Sequence, residues 1–423
     1  MTTSRYRQGC PAGSQVQGLA LSPDASSPAD YAWNVNFNNG NANVNNQNNT
    51  AFVRAVRAAR ASEYRGAKVS FRELHDAWQC ARRNKVPSEN QLAFESNWLD
   101  GLLELQQQIN RGTWSPRPAT CFIAQRPKAR QIHAPDFADR VVHHWLVPRI
   151  EALFEPAFIH DSYSNRVGKG THAAVDRLRD FVHHVHSGQG GGWYLQLDIR
   201  NFFNSIHRPT LYAALKRRLQ KHHAPRCVQQ VTHALLRRPV QAQGVVHRST
   251  AAERERVPAY KRLENATPGC GLPIGNLSSQ FFANVYLDAL DQFVKHTLKA
   301  PRYLRYVDDF VLVHRDRAQL EAWQSALTRF LREQLRLELK PEVHLRPLSA
   351  GIDFLGYVVY PTHTRVRRRV VRHAFAALAG KPVRTREGRE HRRAVLASYI
   401  GHFAHANAHR LTANLIASAR GKS

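Results

Sequence analysis

Tyr303-Leu304-Arg305-Tyr306-Val307-Asp308-Asp309-Phe310-Val311-Leu312-Val313 sets a pair of aspartates between two β-rich runs. Such runs around a two-residue break predict a β-hairpin, with Asp308-Asp309 as the turn. Aspartate pairs occur in turns for reasons of their own, because Asp tolerates unusual backbone angles. Here the apolar flanks would also hold both acids near a buried sheet, where clustered negative charge is costly. A second stretch ends the same way. Trp193-Tyr194-Leu195-Gln196-Leu197-Asp198 alternates apolar and polar residues up to its acid, as a strand does. A divalent cation would offset the crowding of three carboxylates, and carboxylate and water ligands suit Mg²⁺ or Mn²⁺. Two such ions, roughly 3.5–4 Å apart, clamp the attacking and leaving oxygens of a phosphoryl transfer.

Charge points to the partner. The 423 residues carry 61 Lys and Arg against 32 acids, a net of +29. So basic a chain repels itself unless a polyanion is near, and nucleic acid is the commonest polyanion. No apolar run reaches the length of a membrane span, and the first residues lack the apolar core of a signal peptide. The cysteines Cys10, Cys80, Cys121, Cys227 and Cys270 form no CxxC pair, so neither a zinc site nor a disulfide framework is indicated. A reducing, cytoplasmic setting follows.

Along the chain, residues 1–60 read as a flexible leader, in which Asn fills ten of the sixteen positions from Asn34 to Asn49. Composition becomes globular from about residue 70, so 61–118 is expected as an N-terminal helical region. Ser88 and Gln91 have capping-box spacing. Phe94, Trp98, Leu102, Leu105 and Ile109 then predict one amphipathic helix, ended by Gly112 and Pro116. Pro209 fits the first turn of another helix through Leu219. Residues 239–270 read as a long basic loop, and helical spacing returns from about Val370.

Four motifs in order carry a family resemblance. Tyr306-Val307-Asp308-Asp309 resembles the YxDD motif of reverse transcriptases. Asp198-Ile199-Arg200-Asn201-Phe202-Phe203 resembles their first palm motif, Gly271 to Gln280 the turn and helix under template and incoming nucleotide, and Phe354-Leu355-Gly356-Tyr357 the primer-grip hairpin. The resemblance spans roughly Cys121 to Tyr360. It implies an α+β right-hand polymerase: fingers and palm over 119–361, the palm with an antiparallel sheet, and a small basic helical thumb over 362–423. It implies that Asp198, Asp308, Asp309 and the carbonyl of Ile199 hold two Mg²⁺ ions, Mn²⁺ being possible. The backbone of Asn201 and Phe202 would lie near the triphosphate, and Phe203 would exclude a 2′-hydroxyl. Lys128 and Arg130 resemble the cations that meet the triphosphate, for which Lys and bidentate Arg are suited. Arg166 and Lys169, in a Gly-containing second fingers motif, would meet template or triphosphate. Lys340 falls near the position of a proton donor to pyrophosphate, although Glu342 and Val343 stand where the family more often has Lys.

Ile274, Gly275 and Gln280 narrow the resemblance. Ile274 stands where most relatives have Gln, and Ile-Gly-x-x-x-Ser-Gln resembles the form in diversity-generating retroelements. The stretches DFADRVVHHWLV and YIGHFAHANAHRL resemble that family too. The resemblance implies copying of a template-repeat RNA into cDNA with errors at adenines, and mutagenic retrohoming into a target gene. It implies template RNA, RNA–cDNA duplex, deoxynucleotides and a small basic helical accessory protein as partners, in a bacterial or phage-encoded system without a membrane. The Asn-rich leader resembles translated template-repeat sequence, with an Asn-rich linker as the alternative. Two rivals stay open: a reverse transcriptase of a phage-defence or intron-like system without adenine bias, and an RNA-binding scaffold that keeps the fold without activity.

Overall fold

The structure, a computed structural model, describes residues 68–83, 86–125, 128–189, 191–379 and 385–420. The Asn-rich leader, with its expected flexibility, lies outside the described residues.

Helices α1 (Phe71–Arg82), α2 (Glu89–Glu95) and α3 (Trp98–Arg111) begin the described chain. Ser70 and Glu73 form a full capping box on α1. Ser88 caps α2 by accepting from the Gln91 backbone N–H at 3.3 Å, but the Gln91 side chain turns to Glu95 instead of closing the box. The single helix expected over 88–111 is therefore two, broken at Ser96-Asn97. Its apolar face continues across the break, which is why spacing alone runs through it. Gly112 ends α3 at φ 71°, a conformation glycine adopts without penalty.

Strands β1 (Ala119–Ala124) and β2 (Arg130–Ala134) form an antiparallel hairpin, followed by α4 (Phe137–Phe154) and α5 (Thr171–Gln189). Strand β3 (Trp193–Asp198) leads through the short α6 (Phe202–Ser205) to α7 (Arg208–Lys221) and α8 (Arg226–Arg237). Pro209 sits in the first turn of α7, as expected. Residues 239–270 are more ordered than a basic loop. They contain β4 (Val245–His247), which adds to β1 in parallel, and α9 (Ala251–Glu255). The rest of the chain is α10 (Leu277–Gln292), β5 (Tyr303–Tyr306), β6 (Asp309–His314), α11 (Arg317–Leu335), β7 (His344–Pro347), β8 (Ile352–Phe354), β9 (Tyr357–Val359), β10 (Thr364–Val366), α12 (Arg368–Leu378), α13 (Arg386–Phe403) and α14 (His409–Arg420).

Helix and sheet are thus mixed in the manner of an α+β protein. The central sheet has the order β5-β6-β3-β7, and its pairings are antiparallel. Helices α4 and α10 carry buried residues on nearly every face, the pattern of helices enclosed on all sides. They join the sheet in one large core. The C-terminal helices have a separate small core around Val370, Ala374, Leu378, Phe403 and Leu415. The expected start of the helical thumb at 362 moves later, because Thr364–Val366 is a third strand on the β8–β9 hairpin. Among the described residues no helix is long and apolar enough to cross a membrane.

Candidate active site

Strand pairing gathers the acids. Asp198, the last residue of β3, lies opposite Asp309, the first of β6. The two-residue turn is Val307-Asp308 instead of Asp308-Asp309, since Tyr306 pairs with Asp309. The register slips by one because Val307 takes φ 57°, which a β-branched residue rarely adopts. The Ile199 N–H donates to the Asp308 carbonyl at 3.3 Å, so Asp198, Asp308 and Asp309 share one end of the sheet.

Each carboxyl is pushed toward its protonated form. Burial, then the neighbouring Asp198, raises the Asp308 pKa to about 7. Burial raises that of Asp309 to about 8, against the hydrogen bond from Gln196 and with the help of Asp198 and Asp308. Burial also raises Asp198, although Lys340 opposes it. The Lys340 ammonium donates to Asp198 Oδ2, and the Lys340 N–H donates to the Asp198 carbonyl at 2.8 Å. Gln196 Nε2 donates to Asp309 Oδ1 at 3.1 Å and to the Asp353 carbonyl at 3.1 Å.

Among the described residues no three His, Cys, Asp or Glu side chains form a ready-made metal cage. Two of the three acids are held instead by Lys340 and Gln196. The donor set still fits a hard divalent cation. It consists of carboxylate oxygens whose ionised forms lack sufficient compensation, and Asp198 Oδ1 is buried with no hydrogen-bond partner.

Cations converge on the same end. Burial, opposed by Asp308 and Asp198, lowers the pKa of Arg130. Lys128 is lowered by burial and by Lys261, Lys340, Arg369 and Arg130. Like charges brought together in this way favour a polyanion between them. The convergence of Lys261, from the 239–270 insertion, and Arg369, from α12, on Lys128 was not legible in the sequence. Gln196 was missed as well, although its spacing two residues from Asp198 on a strand put both on one face.

Asn201 adopts φ 48°, and its Nδ2 donates to the Tyr260 carbonyl at 2.6 Å. Phe202 is buried in the core, while Phe203 is half-buried beside it, ring centroids 5.4 Å apart. The Phe203 carbonyl accepts from the Leu272 N–H at 2.8 Å, tying the first palm motif to the segment that carries Ile274. Ile274 is half-exposed, and its carbonyl accepts from the His133 N–H at 2.9 Å. Gly275 stands at φ 124°, where a Cβ would come 3.1 Å from the His133 carbonyl. Gln280 is buried in the first turn of α10.

The second fingers motif differs from expectation. Arg166 is buried, and its guanidinium donates to Glu155 and to the carbonyls of Ile159 (2.6 Å) and Ser162 (2.9 Å). It braces its own loop and has little capacity left for template or triphosphate. Lys169 remains half-exposed, its ammonium 5.0 Å from the centre of the Tyr163 ring.

A family model described as reverse transcriptase (RNA-dependent DNA polymerase) matches residues 123–359, more than half of the chain. Among curated relatives, the group II intron-encoded protein LtrA of Lactococcus lactis subsp. cremoris is 23% identical over 309 residues, covering 62% of this chain and 49% of that protein. Protein YkfC of Escherichia coli K12 is 23% identical over 310 residues, covering 65% of this chain and 73% of its own. The chain therefore spans about half the length of the intron-encoded protein it matches. Similar solved structures include apo telomerase from Candida tropicalis truncated of its C-terminal domain, at TM-score 0.44 and 11% identity, covering 60% of this chain and 56% of that one. Telomerase from Candida albicans with a fragment of telomeric RNA has TM-score 0.43 and 11% identity, covering 86% of this chain and 73% of that one. Matched from the end of strand β1 through strand β9, with three acids at the end of its central sheet, the chain belongs to the reverse transcriptase family.

Proposed function

We propose that the protein is an RNA-directed DNA polymerase that extends a primer 3′ end with deoxynucleotides. The observation that carries this reading is the meeting of Asp198, Asp308 and Asp309 at one sheet end, with proton affinities raised. Divalent ions, two Mg²⁺ or Mn²⁺, would be held by these acids and the Ile199 carbonyl. They would supply activation of the primer hydroxyl and charge neutralisation on the phosphates. Lys128 and Arg130, with Lys261 and Arg369 close by, would orient the triphosphate. Backbone at Asn201 and Phe202 would lie along it, and the half-exposed Phe203 ring would occupy the space of a 2′-hydroxyl. Lys340 would deliver a proton to departing pyrophosphate once it releases Asp198. Lys169 is the remaining second-fingers cation with an accessible head, whereas Arg166 acts by holding that loop.

The finer reading is a diversity-generating retroelement enzyme, acting on its own template RNA with a small basic accessory protein. It rests on Ile274, Gly275 and Gln280. An isoleucine near the nascent pair can offer shape without the hydrogen bonds of a Gln amide, and a lost polar check lowers discrimination. Similarity to intron-encoded proteins favours an intron-like enzyme without adenine bias as the second reading.

The test is cDNA synthesis on RNA transcribed from the adjacent locus, with the neighbouring accessory protein added, Asp308→Asn as control, and product sequencing. Product with errors at template adenines supports both levels. Accurate product keeps the polymerase and selects the intron-like reading. Wild-type protein that extends no primer, even on a generic primed RNA, overturns the activity.

A further inference from the structure

Behind the acid-bearing turn lies a group that the proposed chemistry does not use. Arg305, on β5, is 1% exposed and paired with a fully buried Asp291 of α10. A guanidinium has five N–H donors, and here each has a partner. Nε donates to Asp291 Oδ1 at 2.8 Å and Nη2 to Asp291 Oδ2 at 2.6 Å. Nη2 also donates to Ser162 Oγ at 3.1 Å, and Nη1 to Asn284 Oδ1 at 3.3 Å. The fifth bond, Nη1 to the carbonyl of Val307 at 2.9 Å, reaches the turn itself.

That last contact falls on an improbable stretch of backbone. Val307 is buried and stands at φ 57°, where a β-branched side chain is strained. Such a conformation persists only where its surroundings over-determine it. The Val307 carbonyl is the last group before Asp308, so whatever holds it helps to aim Asp308 and, one residue on, Asp309. The anchor is itself braced. Asp291 Oδ1 accepts from the Tyr303 hydroxyl at 2.7 Å, and Asn284 Nδ2 donates to the Ser164 carbonyl at 2.8 Å. The Arg305 backbone N–H and carbonyl bond Asp161 and Tyr163. One guanidinium thus references the turn to helix α10 and to the 161–164 segment together.

We propose that Arg305, held by Asp291, is a positioning residue that sets the catalytic turn through the Val307 carbonyl. This rests on the polymerase reading given above. An ion pair present for folding alone is replaceable by apolar residues of similar volume at little cost, whereas a positioning pair is not replaceable without moving the acids. Lysine cannot substitute either, because its single ammonium lacks the fork that spans Asp291, Ser162, Asn284 and Val307 at once.

The full chain is prepared as wild type, as the double variant Arg305→Met/Asp291→Leu, and as Arg305→Lys. Each is measured for thermal melting, primer–template affinity, kcat and KM for deoxynucleotide, and Mg²⁺ concentration at half-maximal rate. Backbone hydrogen exchange is followed over 303–314, with 193–198 as reference. For the folded double variant, kcat falls at least tenfold and the half-maximal Mg²⁺ concentration rises severalfold. Primer–template affinity stays within twofold, and exchange quickens over 303–314 more than over 193–198. If the double variant does not fold, Arg305→Lys carries the same expectations. Unchanged kcat and Mg²⁺ response in a folded variant overturn the proposal. Should wild type extend no primer, the polymerase reading fails by itself, and exchange alone then decides: unaltered exchange over 303–314 overturns the role of Arg305.

Discussion

Among the described residues two hairpins have two-residue turns, β5–β6 and β8–β9, and both place a buried aliphatic residue at positive φ. In the β8–β9 hairpin Leu355 has φ 49° and is followed by Gly356 at φ 93°. Two positive φ angles with glycine second is the turn whose twist matches its strands, so local chemistry favours that hairpin. In the β5–β6 hairpin Val307 has φ 57°, and its neighbour is Asp308. Asp308 is not at positive φ, so the position that glycine would favour is 307, which carries a valine. The turn is held from outside by Arg305, whose guanidinium bonds the Val307 carbonyl. One hairpin is favoured by its own residues; the other sets a β-branched residue where glycine is favoured and takes its geometry from tertiary structure.

The largest expected effect tests what the second arrangement is for. Asp308→Asn should lower primer extension by roughly 10³ or more, the scale of losing one member of a catalytic unit, with the fold intact by circular dichroism. The same substitution should change the pH dependence of stability. Burial and Asp198 raise the Asp308 pKa to about 7, against about 3.9 in an unfolded chain. Between those values the folded state binds more protons than the unfolded state, so stability falls as pH rises through the window. Between pH 4 and 8, melting of metal-free wild type in chelator should therefore fall relative to that of Asp308→Asn. An equal slope in both proteins would mean that the acids are not stressed as the geometry implies.

Gly356→Ala addresses the locally specified hairpin. Alanine at positive φ should cost about 1 kcal/mol or more, seen as a lower urea midpoint with an unchanged slope. The deoxynucleotide KM should stay near wild type, since Gly356 contributes no group to the acid cluster and its carbonyl is engaged with the Arg367 N–H at 2.8 Å. A collapse of kcat comparable to that of Asp308→Asn would break the distinction between the hairpins.

A smaller effect lies where the β8–β9 hairpin meets the C-terminal helices. The Tyr357 hydroxyl donates to the His402 carbonyl at 2.8 Å, and the two rings stack at 4.3 Å. His172 lies beside this pair and stacks on His405. Burial, then His172, pushes the His402 pKa down to about 4. Burial, then His405, does the same for His172, with Asp176 opposing. Both rings are neutral when folded, whereas an unfolded histidine titrates near 6.5. Their stability contribution is complete above about pH 6.5 and is lost as pH falls toward 4. Amide protection over 386–420, exchange being corrected for its intrinsic pH dependence, should fall in that window, and His402→Phe should blunt the change. Protection factors that do not change with pH would detach the histidines from docking of the C-terminal helices.

These contrasts also explain which features were legible. Strands β3, β5 and β6 were readable because apolar runs and period-two alternation are local signals. The turn was misplaced by one residue because nothing local announces a valine at positive φ. The β4–β1 pairing was invisible, since three residues joining a distant strand leave no periodic trace. Arg166 was misjudged because a basic residue near glycines reads as exposed. Its burial depends on Glu155 and on carbonyls that only the fold brings near. Arg305 was hidden for the same reason, its partner Asp291 lying on helix α10. Charge in the sequence thus located the site region, but which cations brace and which face the ligand is a tertiary property.

The smallest effect lies on neither hairpin. Ile274 is pinned through its carbonyl to His133 on β2, and Gly275 beside it has no room for a Cβ. The backbone there is set independently of the 274 side chain, so Ile274→Gln should change chemistry without moving the chain. The expected outcome is wild-type melting, a kcat within about threefold, and errors opposite template adenine reduced severalfold. One hydrogen bond's worth of discrimination, about 1 kcal/mol, corresponds to about that factor. Product sequencing beside a Leu355→Ala variant sharpens the point. If Leu355→Ala alters the error spectrum as much as Ile274→Gln, fidelity depends on general looseness of the site. If only Ile274→Gln alters it, base discrimination belongs to a third element, held by the β1–β2 hairpin and separate from both the turn that carries the acids and the hairpin that packs against the C-terminal helices.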